Sequence, residues 1–306
     1  MKITVLGSAA GGGFPQWNCG CENCLLARAN DPRVEKRTQD SLAVDGKAGS
    51  LLVNASPDIL RQLEATPALH PRAPRDTPIR AIALTNGDLD HTLGLFSLRE
   101  SQPLVVYATE RVWAGLSEKN AIFRTLRRFE NQVTFRKLAL DRKTEIEELG
   151  ISLTAIAAPG KLPVHLLDAR SAGALVGEAD HPEDNIALRI ERNGKAAIYA
   201  TAVKNAGAIR DKLTPCDVLF LDGTFWSSDE LTAGGLGKAR AEDMAHHPLS
   251  GATGSLATLA NLEGVKRKIL THVNNTNPIL RSDSDARNAV KMAGWEIATD
   301  GMEISA

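Results

Sequence analysis

One short stretch of the 306-residue sequence brings acidic side chains and an imidazole together. Asp88, Asp90 and His91 lie within four residues of one another, directly after the dipeptide Asn86-Gly87. A carboxylate is a hard oxygen donor and an imidazole offers a nitrogen donor, and both suit a first-row metal ion. A plainer interpretation makes Asn-Gly a turn, one aspartate a helix N-cap and His91 a surface residue. The spacing alone leaves both interpretations open.

A strand and a helix would have to hold these side chains in place. The apolar run Ile82-Ala83-Leu84-Thr85 precedes them and predicts a buried strand, while Leu93, Leu95 and Phe96 predict the buried side of a short helix. Further polar residues stand beside other predicted strands, at His181 before 186–190, Asp222 at the end of 217–222 and His272 after 268–271. Ligand sites of layered α/β proteins lie at such strand ends, so we expect these residues to meet there.

Three of the four cysteines lie within six residues, as Cys19, Cys21 and Cys24. Cys-x-Cys-x-x-Cys places three thiols on one tight loop, which suits a thiolate-binding ion such as zinc. This spacing is not a disulfide framework, and close thiols of this kind favour a structural zinc site in a reducing compartment. A redox centre and buried, unused thiols are the alternatives.

Two loops could contact a ligand. The segment Ser8 to Gly13 is rich in glycine, and its backbone N–H groups could hold an anionic group, although a permissive turn explains the glycines equally well. The segment Ala169 to Asp180 is rich in small and acidic residues, which is typical of a flexible lid.

Composition excludes several functional classes. The formal net charge is -1, from 36 basic and 37 acidic residues without a basic block, so we expect no nucleic-acid partner. No apolar run approaches the ~20 residues that span a bilayer, and the N-terminus predicts a first strand rather than a signal peptide. We therefore expect a cytoplasmic protein without a membrane partner. A homodimer remains open.

The alternation of predicted strands and helices indicates an α/β protein, which we interpret as one domain over 1–306 built from two similar halves. The central stretch also resembles the signature loop of the metallo-β-lactamase superfamily, His-x-His-x-Asp-His. Here the pattern reads Asn86-Gly87-Asp88-Leu89-Asp90-His91, so its last two metal residues match and its first two do not. The resemblance implies a four-layer αββα sandwich.

The same resemblance implies one metal seat instead of two. The first seat of the superfamily uses the two missing motif histidines and a histidine matched by His181, and Asn86 and Asp88 remove it. The bridging aspartate is also missing, because the predicted strand 197–200 is followed by Thr201-Ala202. The second seat keeps Asp90, His91 and His272, the two-histidine, one-carboxylate set of non-haem iron(II) oxygenases. Two-metal hydrolysis thereby loses its basis.

The thiol motif is similar to the zinc loop of a cyclic phosphodiesterase in the same superfamily. That enzyme takes its fourth zinc ligand from a histidine three residues after a metal histidine. The matching position after His272 is Asn275. The fourth ligand is therefore Asn275, water or another group.

A narrower resemblance covers nearly the full length. The segments 7–19, 54–58, 222–224 and 272–280 resemble the family of metallo-β-lactamase-like proteins of pyrroloquinoline quinone (PQQ) biosynthesis. It implies an Fe(II)-dependent hydroxylase, with dioxygen as co-substrate and a structural Zn, acting on the tyrosine-derived ring of a glutamate–tyrosine crosslinked PQQ precursor. The alternatives are a carrier of PQQ or its precursor, and a metal-dependent hydrolase.

Roles for the remaining polar residues follow from the resemblance. His181 and His246 could handle ring protons as general acid or base, with His247 as a competing choice for the latter. Asp88 and Asp222 would orient ligands or substrate. We also expect a helix from Met244 towards Leu262. The candidate substrate-binding residues are Ser8, Gly12, Asn274, Asn277 and Trp226.

Overall fold

The computed structural model describes residues 1–118, 120–158, 160 and 181–306, so the predicted lid over 169–180 lies outside the described residues. The β-strands in these ranges are β1 (Lys2–Gly7), β2 (Ser41–Asp45), β3 (Ser50–Val53), β4 (Ile79–Ala83), β5 (Leu104–Ala108), β6 (Val133–Lys137), β7 (Lys143–Ile146), β8 (Ile151–Ala157), β9 (Ile186–Arg192), β10 (Lys195–Ala200), β11 (Cys216–Asp222), β12 (Val265–Thr271), β13 (Glu296–Ile297) and β14 (Glu303–Ser305).

The α-helices in the described ranges are short. They are α1 (Glu22–Arg28), α2 (Ile59–Glu64), α3 (Leu89–Thr92), α4 (Glu110–Glu118), α5 (Ala206–Ile209), α6 (Glu230–Ala233), α7 (Ser255–Thr258) and α8 (Asp285–Met292). Turns of 3₁₀ helix extend or connect them at Pro67–Leu69, Leu93–Ser97, Ala121–Arg127, Arg210–Lys212, Glu242–Met244 and Pro278–Leu280.

The strands form two mixed sheets of seven strands each. Their orders are β14-β1-β2-β3-β4-β5-β6 and β13-β12-β11-β10-β9-β8-β7. In the first sheet β3 to β6 run parallel, and in the second sheet β10 to β13 run parallel, while the other neighbours are antiparallel. The two sheets therefore repeat one strand pattern, in which the antiparallel neighbours come before the parallel ones along the chain, except that β14 joins the first sheet from the C-terminal end.

Three apolar clusters separate the layers. One contains Val5, Leu153 and Tyr199 from strands of both sheets, so it fills the space between them. The second joins the second sheet to α1, α5 and α8, and the third joins the first sheet to α2 and α4. Each sheet thus buries both faces, which explains the continuous apolar runs of its central strands. The predicted four-layer αββα sandwich of the metallo-β-lactamase type is confirmed.

The predicted helix from Met244 towards Leu262 is wrong. Helical structure there is limited to the 3₁₀ turn Glu242–Met244 and to α7. Ala245 ends the first with a left-handed backbone (φ 65°), and Gly251 adopts φ 89°. These conformations, together with Pro248, interrupt the helical hydrogen-bond pattern.

The ends of the parallel strands position the polar residues. The chain leaves β4 at 83, β11 at 222 and β12 at 271, while β9 enters at 186 beside the residues that follow β4. Because parallel strands end at the same edge of their sheet, the exits of β11 and β12 lie together, and the bridge between Asn86 and Asn185 joins the exit of β4 to the second sheet. No helix in the described part of the chain combines the length and apolar character that crossing a membrane requires.

Candidate metal centre

Asp90, His91 and His272 converge at the clustered strand ends. Asp90 and His91 lie on α3, just after β4, and His272 directly follows β12. His272 Nε2 is 3.2 Å from Asp90 Oδ2, and His91 Nε2 is 3.9 Å from the same oxygen. One potential ligand atom from each residue lies within 4.8 Å of the other two. The structure therefore brings together the three residues that the sequence predicted as metal ligands.

The His91 ring is the strongest indication of a metal. It is fully buried, which rules out the surface interpretation, and its Nε2 atom has no hydrogen-bond partner among the described residues. Burial lowers the pKa of His91, so the ring is neutral and carries a lone pair. A buried nitrogen without a partner is expensive unless a ligand occupies the space beside it. The donor set and this orphaned atom fit a divalent transition-metal ion.

His272 is held from behind by Thr224. Its Nδ1 lies 2.9 Å from Thr224 Oγ1, which is 2.5 Å from Asp222 Oδ1. Because the hydroxyl donates to the carboxylate, it accepts from His272 Nδ1–H and directs Nε2 towards Asp90. Burial acts to lower the pKa of His272, but the hydrogen bond and charge of Asp90 raise it to about 9. Asp90 shows the reciprocal effect, a pKa lowered by His91 and His272 in spite of burial.

His246 lies next to this centre and is held by Asp222. Asp222 Oδ2 accepts hydrogen bonds from His246 Nδ1 at 2.7 Å and from Val203 N at 2.8 Å. Burial acts to raise the pKa of Asp222, but His246 lowers it to about 2. The His246 ring stacks on His272 with centroids 5.4 Å apart, and Asp222, His246 and His272 form a second group close enough to hold an ion. The competing residue His247 is bonded instead to Ser255 Oγ at 3.0 Å.

The residues of the missing metal seat are arranged differently. Asn86 is buried beside His91, with Oδ1 2.8 Å from His91 Nδ1 and Nδ2 3.1 Å from Asn185 Oδ1. Asp88 occupies the N-cap position of α3, although its side chain makes no capping hydrogen bond. His181 is exposed, and its Nδ1 accepts from Glu183 N at 3.2 Å. The buried partner of the central loop is thus Asn185, four residues after His181.

Several of the predicted substrate-binding residues already form hydrogen bonds within the protein. Ser8 Oγ donates to Asp300 Oδ1 at 2.8 Å, and Gly12 N donates to Gln39 Oε1 at 3.1 Å. The Asn277 amide donates to the carbonyls of Gly223 and Thr224 at 2.9 and 3.2 Å. These bonds hold the strand exits in shape, and their binding of substrate stays a prediction.

Asn274 and Trp226 are both connected to Glu230, a half-buried residue that the sequence did not indicate. Asn274 Nδ2 donates to Thr276 Oγ1 at 2.6 Å, and Thr276 in turn bonds to Glu230. Glu230 also accepts from Trp226 N at 2.6 Å. Burial raises the pKa of Glu230 to about 7. The sequence offered no motif around this glutamate that could have revealed it.

The three thiols form a second donor cluster. The Sγ atoms of Cys19, Cys21 and Cys24 lie within 4.8 Å of one another, and the Asn275 amide nitrogen is 3.1, 3.7 and 3.4 Å from them. Burial raises the pKa of Cys21 to about 12, so a bound cation would have to displace its proton. The three sulfurs fit three corners of a tetrahedral zinc site, and the Asn275 side chain faces the fourth.

Comparison with known proteins agrees with this geometry. Residues 50–273 match the family model of the beta-lactamase superfamily domain. The chain is 43% identical over 309 residues to coenzyme PQQ synthesis protein B of Methylobacterium sp. (strain 4-46), covering 100% of both chains. It is 39% identical over 313 residues to the protein of the same name from Gluconacetobacter diazotrophicus, covering 100% of this chain and 99% of the relative.

Solved structures give the same result. The Zn²⁺-bound PqqB crystal structure from Methylobacterium extorquens superposes with a TM-score of 0.91 at 39% identity and covers 100% of both chains. A diphosphatase of the PhnP family shares the fold at a TM-score of 0.66 and 20% identity, covering 99% of this chain and 96% of its own. The chain therefore belongs to the coenzyme PQQ synthesis protein B family, within the beta-lactamase superfamily.

Proposed function

We propose that this protein acts in PQQ biosynthesis as an iron-dependent hydroxylase of a tyrosine-derived ring in a PQQ precursor. The observation that carries the proposal is the compact donor set of Asp90, His91 and His272, in which His91 Nε2 has no hydrogen-bond partner among the described residues. Two histidines and one carboxylate leave coordination positions open, which is the arrangement of non-haem iron(II) oxygenases. The relatives named for PQQ synthesis supply the pathway.

A two-metal hydrolase is less well supported by this geometry. Asn86 occupies the position of the first motif histidine of the superfamily. Beside His91, its Nδ2 donates a hydrogen bond to Asn185 Oδ1. An amide pair offers no strong ligand for a second ion there. Two-metal hydrolysis, which clamps the attacking and leaving oxygens between two ions, therefore lacks the superfamily's first metal seat.

When bound, iron(II) would activate dioxygen so that one oxygen atom enters the ring and the other is released as water, with two electrons from an outside reductant and two protons from solvent. The protein side chains supply the proton transfer. His246 Nδ1–H donates to the Asp222 carboxylate, which leaves His246 Nε2 as a base beside the centre. His246 could thus accept the proton of the substrate phenol. His181 is exposed and lies outside both donor groups, so we assign it no role in proton transfer.

Zinc is assigned to the thiol cluster, where it would be structural. Thiolate ligands favour zinc over iron(II). A structural zinc site has all its coordination positions filled by the protein and leaves none open for substrate. Asn275 presents its amide nitrogen to the sulfurs, so it would complete the site through its amide oxygen after the amide has turned over. Cys19 and Cys21 lie on the loop before α1, Cys24 lies in the first turn of α1, and Asn275 follows His272 by three residues, so the cluster connects the N-terminal segment to the strand exit.

The direct test is oxygen uptake by protein loaded anaerobically with iron(II). The probe is a tyrosine-derived diacid with ascorbate as reductant. We expect uptake that requires iron and substrate, and a product heavier by one oxygen atom. His91→Ala should abolish uptake, whereas His70→Ala, at a loop histidine bonded to Glu64 O, should leave it unchanged.

Two other results would overturn the proposal. Oxygen-independent turnover of an ester or phosphodiester by the zinc-loaded protein would identify a hydrolase. Tight binding of PQQ without uptake, unaffected by His91→Ala, would identify a carrier, because a carrier needs a pocket and no metal ligands.

A further inference from the structure

Two buried asparagines form a hydrogen-bonded pair behind His91. Asn86 Nδ2 donates to Asn185 Oδ1 at 3.1 Å, across 99 positions of the sequence. Their backbones form an isolated antiparallel bridge, and the two residues are 1% and 2% exposed.

The orientation of both amides is fixed by backbone groups. Asn185 Nδ2 donates to the carbonyl of Ala202 at 3.0 Å, and a reversed amide would place two acceptors against each other. Asn185 Oδ1 therefore faces Asn86 and accepts from its Nδ2. The backbone N–H of Asp88 independently requires an acceptor, and Asn86 Oδ1 is 3.0 Å away from it. Both constraints leave Asn86 Oδ1 on the side of His91.

The state of the His91 ring follows from this orientation. His91 Nδ1 lies 2.8 Å from Asn86 Oδ1, and an amide oxygen only accepts, so Nδ1 carries the hydrogen. Thr85 Oγ1 is farther from Nδ1, at 3.5 Å, and its hydroxyl donates to Asn54 Oδ1. The lone pair of the neutral ring then lies on Nε2, the buried atom that has no hydrogen-bond partner in the described part of the chain.

We propose that Asn86 and Asn185 are positioning residues that fix His91 in the Nδ1–H tautomer, so that Nε2 is available to the metal ion. The chain of bonds runs from the Ala202 carbonyl through Asn185 and Asn86 to His91. Asn86 thus does not bind the metal ion, as the superfamily histidine at this position does. It orients the ligand His91 instead. This inference rests on the proposed metal site at Asp90, His91 and His272.

The first experiment observes the tautomer directly in the wild-type protein without metal. Two-dimensional ¹H–¹⁵N correlation spectra of protein with ¹⁵N-labelled histidine distinguish protonated Nδ1 from protonated Nε2. We expect His91 in the Nδ1–H form, and assignment uses the signal lost in His91→Ala. A His91 ring protonated at Nε2 overturns the inference, even if the protein binds metal well.

The second experiment measures metal affinity in two variants of Asn86. Asn86→Leu removes the acceptor and should weaken Co²⁺ binding about 10- to 100-fold, the usual effect of losing such a supporting contact. Asn86→Asp keeps an acceptor for His91 Nδ1–H and should bind Co²⁺ at least as tightly as the wild type. Asn288→Leu, at an exposed position of α8, serves as the control and should bind like the wild type.

The outcomes separate this inference from the metal site itself. Wild-type affinity in Asn86→Leu, or an equal loss in Asn86→Asp, would overturn the positioning role. A wild-type protein that has His91 in the Nδ1–H form but takes up no Co²⁺ at Asp90 would refute the metal site and leave the tautomer assignment standing. If Asn86→Leu does not fold, the wild-type spectrum still decides.

Discussion

His272 Nε2 and Asp90 Oδ2 lie 3.2 Å apart, although 182 positions separate the two residues in the sequence. The bond joins the exit of β4 in the first sheet to the exit of β12 in the second sheet. It also shares one proton between two proposed ligands of the same ion. The metal-free protein therefore holds a hydrogen where a metal ion would be bound.

Metal binding should consequently depend strongly on pH. Asp90 raises the pKa of His272 to about 9, so below that pH an ion must displace a proton from Nε2. One displaced proton makes the affinity rise about tenfold per pH unit, and the rise should stop above pH 9. Titration calorimetry with Co²⁺ between pH 6.5 and 9.5 measures the slope. Asp90→Asn should bind more weakly, and its slope should level off at a lower pH. A flat profile in the wild type would contradict the prediction.

The Thr224 hydroxyl should contribute to metal affinity, although it is not itself a ligand, because it orients His272. Thr224→Val removes the contact between His272 Nδ1 and Asp222 and should weaken metal binding about 10- to 100-fold. Thr224→Ser keeps the hydroxyl and should restore most of the affinity. The dissociation constant for Co²⁺ decides between the two, and equal binding by the valine and serine variants would show that the hydroxyl does not orient His272.

The thiol cluster should stabilise the fold when it holds zinc. A structural zinc ion contributes binding energy directly to folding, so its removal by a chelator should lower the melting temperature. Asn275→His supplies a nitrogen ligand at the fourth corner and should retain zinc at chelator concentrations that strip the wild type. Cys24→Ser should lose zinc more readily than either. Zinc content after dialysis is the measurement, and retention in Cys24→Ser would contradict the assignment.

The two tyrosines of the sequence should respond differently to loss of their hydroxyl groups. Tyr199 is fully buried and donates a hydrogen bond to Asp40, whose pKa burial raises to about 6. Tyr199→Phe leaves that carboxyl with fewer donors, which should lower the free energy of unfolding by about 1–3 kcal/mol. Tyr107→Phe, at the end of β5, is the matched control. Urea unfolding at pH 7 measures both, and equal effects would contradict the role of Asp40.

Much of the fold follows from local sequence. The predicted strands 197–200 and 217–222 lie within β10 and β11, because continuous apolar runs mark buried strands strongly. The predicted helix after Met244 does not form. The apolar spacing there resembles that of a helix, but Pro248 and the left-handed backbone of Ala245 interrupt it. Short-range patterns do not reveal which backbone conformation a tertiary contact will impose.

The ligands were easier to predict than the groups that orient them. Asp90, His91 and His272 carry chemistry that their residue types announce. Asn185 and Thr224 are ordinary strand-end residues, and only the folded chain shows that they bond to Asn86 and His272. His181 was predicted to lie in the site because it is a histidine just before a strand. The residue that contacts the central loop is Asn185, four positions later.

The segment after β12 carries His272 for one donor cluster and Asn275 for the other, only three residues apart. We expect the supply of one metal to influence the use of the other in the cell. A chain that matures without zinc would lack the anchor of this segment and would present His272 less well to iron. Zinc starvation should therefore appear first as incomplete iron loading, before any loss of folded protein.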